Sequence, residues 1–294
     1  MIVEKSAIVG NVRINYAETS SIGPTIILLH GIPGRWQEYL SIMPDLGSRY
    51  HLIAMDFRGH GKSDRTPGEY HSSYYSKDVL GFLRKELEEP VIIFGMSAGG
   101  LVALDVAVQA PERINALIVG DAPIDIPGLK IWMKSEAFTS LFSDFRTLAG
   151  MEEPLEMIFN NLADLPLIIP GEQAPIRYAD QPGMDVLEVK EFAKTLTMLD
   201  PGVLEYHAEG RADEYLVGLD LNKMLPGISC PVLLIQADPK LGAMMTDDAK
   251  NSALDKLPNA ISVRIEDSGH DLLKDAWKDK SIVRAIFSFL DTLK

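Results

Sequence analysis

The chain has 294 residues, with 28 Lys and Arg against 42 Asp and Glu, a formal charge of −14. A 46% hydrophobic and 24% charged composition excludes disordered, collagen-like and low-complexity proteins. No apolar run approaches the ~18 residues of a membrane span, and no basic stripe offers the counterion release on which nucleic-acid affinity rests, so neither membrane nor nucleic acid is an expected partner. Residues 1–10 hold no apolar segment followed by a cleavage site, which makes the cytoplasm the expected compartment. The single Cys230, before Pro231 at the start of an apolar run, reads as a buried structural thiol.

In chain order, Ile8-Val9, Gly10-Asn11 and Val12 to Ile14 spell two short strands joined by a two-residue hairpin turn, an antiparallel edge to a sheet. Strand-like apolar runs follow at Thr25 to Leu29, Leu52 to Met55, Val91 to Phe94, Ala116 to Val119, Val232 to Ile235 and Ser262 to Ile265. Helical spacing separates most of them, at Trp36 to Leu46, Tyr74 to Leu87, Leu101 to Ala110 and Asp247 to Leu257, and a last amphipathic stretch runs from Ser281 to Leu293. Strand and helix in alternation predict an α/β fold, a parallel sheet with helices on both faces. Between Val119 and Val232 the rhythm stops. Residues 124–226 carry 8 Lys and Arg and 18 Asp and Glu, a net of −10 out of −14. The expected organisation is therefore a core of residues 1–123 and 227–294 and an inserted, acidic, mainly helical domain at 124–226, with Pro- and Gly-bearing junctions.

Gly95-Met96-Ser97-Ala98-Gly99, followed by Gly100, lies between the strand Val91 to Phe94 and the next helical pattern. A serine at so sharp a strand-to-helix turn needs small neighbours and stands above a helix N-terminus that favours developing negative charge. Serine needs a base to become a nucleophile, and His270, in Asp267-Ser268-Gly269-His270 after the last strand, lies on the same sheet edge. His30 and His60 sit in turns and read as loop organisers. His51, His71 and His207 have no motif around them and read as surface or packing residues, His207 with a chance of touching substrate. Asp56 to Ser63 nearly spells a phosphate-binding loop, but Asp56 replaces its first glycine and would face the phosphate. The chain has no CxxC, HExxH or acidic calcium loop, so no metal or other cofactor is expected.

With His30-Gly31-Ile32-Pro33-Gly34 after one strand, Asp56-Phe57-Arg58-Gly59-His60-Gly61-Lys62-Ser63 after the next, the Ser97 turn and the terminal Gly269-His270, the chain resembles the α/β-hydrolase superfamily over about two thirds of its length. The resemblance implies backbone oxyanion donors at Ile32 and Ala98, and makes the insert a cap over the active site. It leaves the triad acid open. The usual acid position, in the loop after Val232 to Ile235, falls on Lys240 or Gly242, neither of them acidic. Asp238 lies in that loop, closer to the strand. A family variant takes the acid after the strand that follows the nucleophile helix, which here gives Asp121, the preferred choice, with Asp238 the alternative.

Single residues separate chemistries within the superfamily. Dehalogenases and epoxide hydrolases have Asp where Ser97 stands, hormone-sensitive-type lipases have His-Gly-Gly-Gly, and proline iminopeptidases have Trp where Ala98 stands. The expected function is that of a serine hydrolase, carboxylesterase-like, acting on an ester, lactone or related acyl bond of a small, neutral or partly apolar molecule. Carbon–carbon bond hydrolysis, perhydrolysis and lyase chemistry are the alternatives within the fold, and a catalytically slow ligand receptor is the alternative outside it. Trp132, Met133, Phe138, Phe142, Phe145, Met157 and Phe159 read mainly as the insert's own core, with a few left for the pocket. A homodimer through the insert or the last helix is compatible with the sequence.

Overall fold

The first two strands, β1 (Val3–Val9) and β2 (Val12–Glu18), form the expected hairpin with Val9 opposite Val12, and Gly10 supplies the positive φ of 59° that the turn requires. The structure is a computed structural model and describes all residues except 21, 168–173, 182–183, 275, 277–278 and 294. The hairpin extends further each way than Ile8 to Ile14. Then come β3 (Thr25–Leu29), β4 (His51–Met55), β5 (Val91–Met96) and β6 (Ile114–Gly120), a two-residue pair β7 (Pro166–Leu167) and β8 (Ile176–Arg177), and finally β9 (Val232–Gln236) and β10 (Ala260–Arg264). Eight of them form one sheet in the order β1-β2-β4-β3-β5-β6-β9-β10, antiparallel at β1-β2 and β2-β4 and parallel beyond.

Side chains alternate between the two faces of the sheet. Ile27, Leu29 and Ile93 pack on one face with the insert, while Ile26, Leu28, Ile92 and Phe94 pack on the other against Trp36, Tyr39 and the last helix. Both faces are covered, which is why the parallel strands are apolar throughout.

The core helices are α1 (Met43–Leu46), α2 (Ser72–Glu86) and α3 (Ala98–Gln109). The helix expected over Trp36 to Leu46 is broken: a 3₁₀ turn covers Trp36–Ser41 and α1 is a single turn. Pro44, at the start of α1, has no N–H to continue an α-helical ladder through residue 40. The insert contributes α4 (Ile126–Met133), α5 (Glu136–Ala149), α6 (Leu155–Ala163), α7 (Val186–Thr197), α8 (Glu205–Ala208), α9 (Ala212–Tyr215) and α10 (Leu221–Met224). The chain closes with α11 (Asp247–Leu254) and α12 (Ser281–Asp291). Among the described residues no helix is long and apolar enough to cross a membrane.

The apolar residues of the insert and those of the facing sheet side form one continuous cluster, from Leu101 and Val102 of α3 through Met133 and Phe145 to Leu196 and Val203. Along α5, Phe138 stacks on Phe142, and Phe142 meets Phe145 edge to face. His207 is buried against Phe142 and Tyr215, at ring separations of 5.0 and 4.4 Å, a packing role. Cys230 is half-buried rather than fully buried, and desolvation pushes its thiol up to about 11.

Candidate active site

The turn from β5 into α3 places Ser97 at φ 51° and ψ −121°, a strained conformation for a residue with a side chain. Gly95 and Gly99, two residues to either side, have no room for one. A Cβ on Gly95 would stand 2.2 Å from the carbonyl oxygen of Gly99, and a Cβ on Gly99 would stand 2.1 Å from that of Leu29. The turn thus lies against the end of β3, and the Ser97 amide donates to Gly120 O of β6 at 2.9 Å.

His270 reaches this serine from the loop after β10. Ser97 Oγ lies 3.0 Å from His270 Nε2, and His270 Nδ1 lies 2.7 Å from Asp121 Oδ2. A carboxylate only accepts, so Nδ1 carries the proton and Nε2 is left to accept from the serine hydroxyl. Asp121, with φ 37°, is fully buried at the end of β6. Three backbone amides also donate to its carboxylate: Met244 N at 2.7 Å, and Ala237 N and Met245 N at 3.2 Å each. Those donors belong to the loop after β9, where the usual acid would stand. That loop, with no acid in the usual place, wraps the Asp121 carboxylate instead. Asp238 does not meet His270; its carboxylate accepts from Lys240 N and Asp267 N and shapes the loop.

The Gly31 to Gly34 loop passes beside the serine, since a Cβ on Gly31 would lie 3.2 Å from Ser97 Cβ. Among the described residues the amides of Ile32 and Ala98 have no hydrogen-bond acceptor. Ala98 N belongs to the first turn of α3, where amides have no intrahelical partner. His30 organises this loop: its Nδ1 donates to Gly31 O at 2.6 Å, and its Nε2 accepts from Phe57 N at 3.0 Å. Burial, with His60 nearby, holds its imidazole well below the usual range. His60 donates from Nδ1 to Arg58 O, and burial lowers it to about 4. In the Asp56 to Ser63 turn the Asp56 carboxylate accepts from Lys62 N, Trp36 N and Asn15 Nδ2, so the turn's own acid fills the place a phosphate would take. Among the described residues no group of three or more His, Cys, Asp or Glu is placed to hold a metal ion.

Ser97 and His270 open into a cavity of about 700 Å³ between the core and α7. Its walls mix Ile32, Met96, Tyr178, Met184, Phe192 and Leu273 with Arg35, Glu38, Glu188, Glu191, Asp271 and Lys274. None of the seven aromatic and methionine residues singled out in the insert lines it. The insert residues that do, Tyr178, Met184 and Phe192, carry no local signature in sequence. Glu38 is accessible through the cavity, and desolvation there, with Asp271 adding repulsion, pushes its carboxyl up to about 8.

A family model described as "alpha/beta hydrolase fold" matches residues 24–146. The chain is 34% identical over 112 residues to a probable alcohol acetyltransferase of Cyberlindnera jadinii, a match covering 37% of this chain and 32% of that protein. It is 25% identical over 169 residues to a 2-(acetamidomethylene)succinate hydrolase of Mesorhizobium japonicum, covering 58% of each. These matches span from about a third to under two thirds of the relatives' own length. Among solved structures, an esterase from Thermogutta terrifontis superposes with a TM-score of 0.70 at 20% identity, covering 100% of this chain and 99% of that one. E-2-(acetamidomethylene)succinate hydrolase gives 0.71 at 18% identity, covering 99% and 100%. At such identities the superpositions speak for the fold alone. Residues 24–146 thus match the α/β-hydrolase family model, the superpositions carry the same fold over the whole chain, and the chain's curated relatives include hydrolases.

Proposed function

We propose that the protein is a carboxylesterase-like serine hydrolase that cleaves an ester, lactone or related acyl bond of a small, neutral or partly apolar molecule. The observation that carries this reading is the hydrogen-bonded chain from Ser97 Oγ through His270 to Asp121, at 3.0 and 2.7 Å, opening into a cavity large enough for such a molecule. In this mechanism His270 takes the Ser97 proton as Oγ attacks the carbonyl carbon. The oxyanion rests on the amides of Ile32 and Ala98, and His270 returns the proton to the leaving group. Water then attacks the acyl-enzyme, His270 again moves the proton, and the free acid departs. Asp121 holds the imidazole in its tautomer and stabilises its charged form. Residues 124–226 act as a cap whose Tyr178, Met184 and Phe192 contact the acyl or alcohol portion. The cavity's apolar side chains support a partly apolar substrate, and the carboxylates of Glu188, Glu191 and Asp271 against Arg35 and Lys274, with Glu38 protonated, disfavour a polyanion.

The test is a fluorophosphonate probe followed by peptide mass spectrometry. An adduct is expected on Ser97, formed rapidly in the wild type and slowed by orders of magnitude in His270→Ala. An intact Ser97 peptide, under conditions that fully label a control esterase, overturns the reading.

A further inference from the structure

Among the described residues, the side-chain polar contacts of helix α7 with the core reach two loops, and each carries part of the proposed chemistry. Its cavity face reads Glu188, Glu191, Phe192, Thr195, the i, i+3, i+4, i+7 spacing of a single helical stripe. Arg35, two residues beyond Pro33 of the oxyanion loop, is only 3% exposed. Both of its described side-chain hydrogen bonds leave the core for α7: Nε donates to Thr195 Oγ1 at 3.0 Å and Nη2 to Glu191 Oε2 at 2.6 Å. On the other flank Lys274, four residues after His270, pairs with Glu188 Oε2 at 2.7 Å. The same Glu188 oxygen accepts from Asp185 N at 2.8 Å, one half of the capping box that starts α7.

A desolvated guanidinium left without its acceptors is costly, so the position of the oxyanion loop and that of α7 are energetically tied. The His270 loop is tied to the same helix through Lys274. We propose that Glu191 and Glu188 are positioning residues: through Arg35 and Lys274 they clamp the oxyanion loop and the imidazole loop in mutual register. Moving α7 off the cavity then loosens the Ile32 amide and His270 together, and turnover belongs to the clamped form. A misplacement of about 1 Å at reacting groups costs on the order of 10²-fold in rate, which sets the size of the expected effect. The clamp rests on the proposed roles of Ser97 and His270.

The experiment measures kcat and KM for p-nitrophenyl acetate, a substrate too small to need many contacts with α7, together with thermal melting and fluorophosphonate labelling of Ser97. Glu191→Gln, Glu188→Gln, Arg35→Gln and the Arg35→Gln/Glu191→Gln double variant are compared with the wild type and with Lys194→Gln, an exposed charge on the same helix. Glutamine keeps the side-chain length and at position 188 still serves a capping box. The clamp predicts a fall in kcat of about 10- to 100-fold with KM changed by no more than about twofold. It also predicts a double variant no slower than the slower single one, and wild-type kinetics for Lys194→Gln. Wild-type kcat in Glu191→Gln and Glu188→Gln, or a lower melting temperature with kcat unchanged at 25 °C, overturns it. Failure of the underlying reading shows elsewhere, as a wild-type Ser97 that is not labelled or one whose labelling ignores His270→Ala.

Discussion

At the scale of residues, Asp121 is the most constrained group in the candidate site. Its two carboxylate oxygens accept from three backbone amides and one imidazole, with no exposure to solvent. Replacing it by Asn turns one of those acceptors into a donor facing a donor, which leaves buried N–H groups unpaired and unsettles the imidazole tautomer. Asp121→Asn is therefore expected to lower kcat by roughly 10⁴-fold, while Asp238→Asn, at a carboxylate that among the described residues accepts from Lys240 N and Asp267 N, stays within about tenfold of wild type. Steady-state rates on a p-nitrophenyl ester check both, and equal losses would make Asp238 as important as Asp121. Ser97→Ala and His270→Ala are each expected to cost about 10⁴-fold or more in the same assay.

At the scale of elements, the β5–α3 turn works because two chain segments approach within contact of backbone atoms. Gly99 faces the carbonyl of Leu29 so closely that any Cβ must push β3 and α3 apart. Gly99→Ala is predicted to destabilise by about 3 kcal/mol or more. Gly227→Ala, where an added Cβ meets nothing within 4 Å, should lie within about 0.5 kcal/mol of wild type. Urea unfolding of the two variants distinguishes these outcomes. In the insert, Phe145 packs edge-on against both Tyr178 and Phe192, two walls of the cavity. Phe145→Ala is expected to cost roughly 3–5 kcal/mol and to raise KM for longer acyl chains more than for acetate, since the walls lose their backing.

For the whole molecule, core and insert share one apolar cluster, and the polar groups sealed within and beneath it link stability to pH. His60 and His207 are neutral in the folded protein, lowered by burial to about 4 and about 3 from the ordinary value of 6.5. Their folded values lie below their unfolded ones, so on acidification the unfolded chain binds protons first. Their contribution is then full above about 6.5 and lost as pH falls towards 4 and below, by a few kcal/mol, while the Glu38 carboxyl, raised to about 8 from 4.5, contributes with the opposite sign as pH rises through that window. Melting temperatures of wild type and His207→Phe are compared from pH 7.5 to 4, and the difference should move in favour of His207→Phe as pH falls below about 6.5. A profile unchanged by that substitution would show that His207 does not contribute to the linkage.

Much of this molecule is local. Alternating apolar runs and helical stretches determined the sheet and its helices, because strand and helix periodicities are written within a few residues. The glycines around Ser97 announced a turn, and a serine and a histidine after two strands were legible because parallel strands deliver their C-terminal ends to one edge. The single acid was not. Asp121 and Asp238 both follow strands on that edge, and only the packed structure shows which of them meets His270, with the loop after β9 folded around the Asp121 carboxylate. The cavity walls were equally silent in sequence. Arg35, Glu38, Tyr178, Phe192 and Lys274 come from distant segments and meet only when the insert packs back over the sheet. A pattern within one segment shows which face is apolar, but which partner that face meets is set by contacts between segments that no short-range periodicity records.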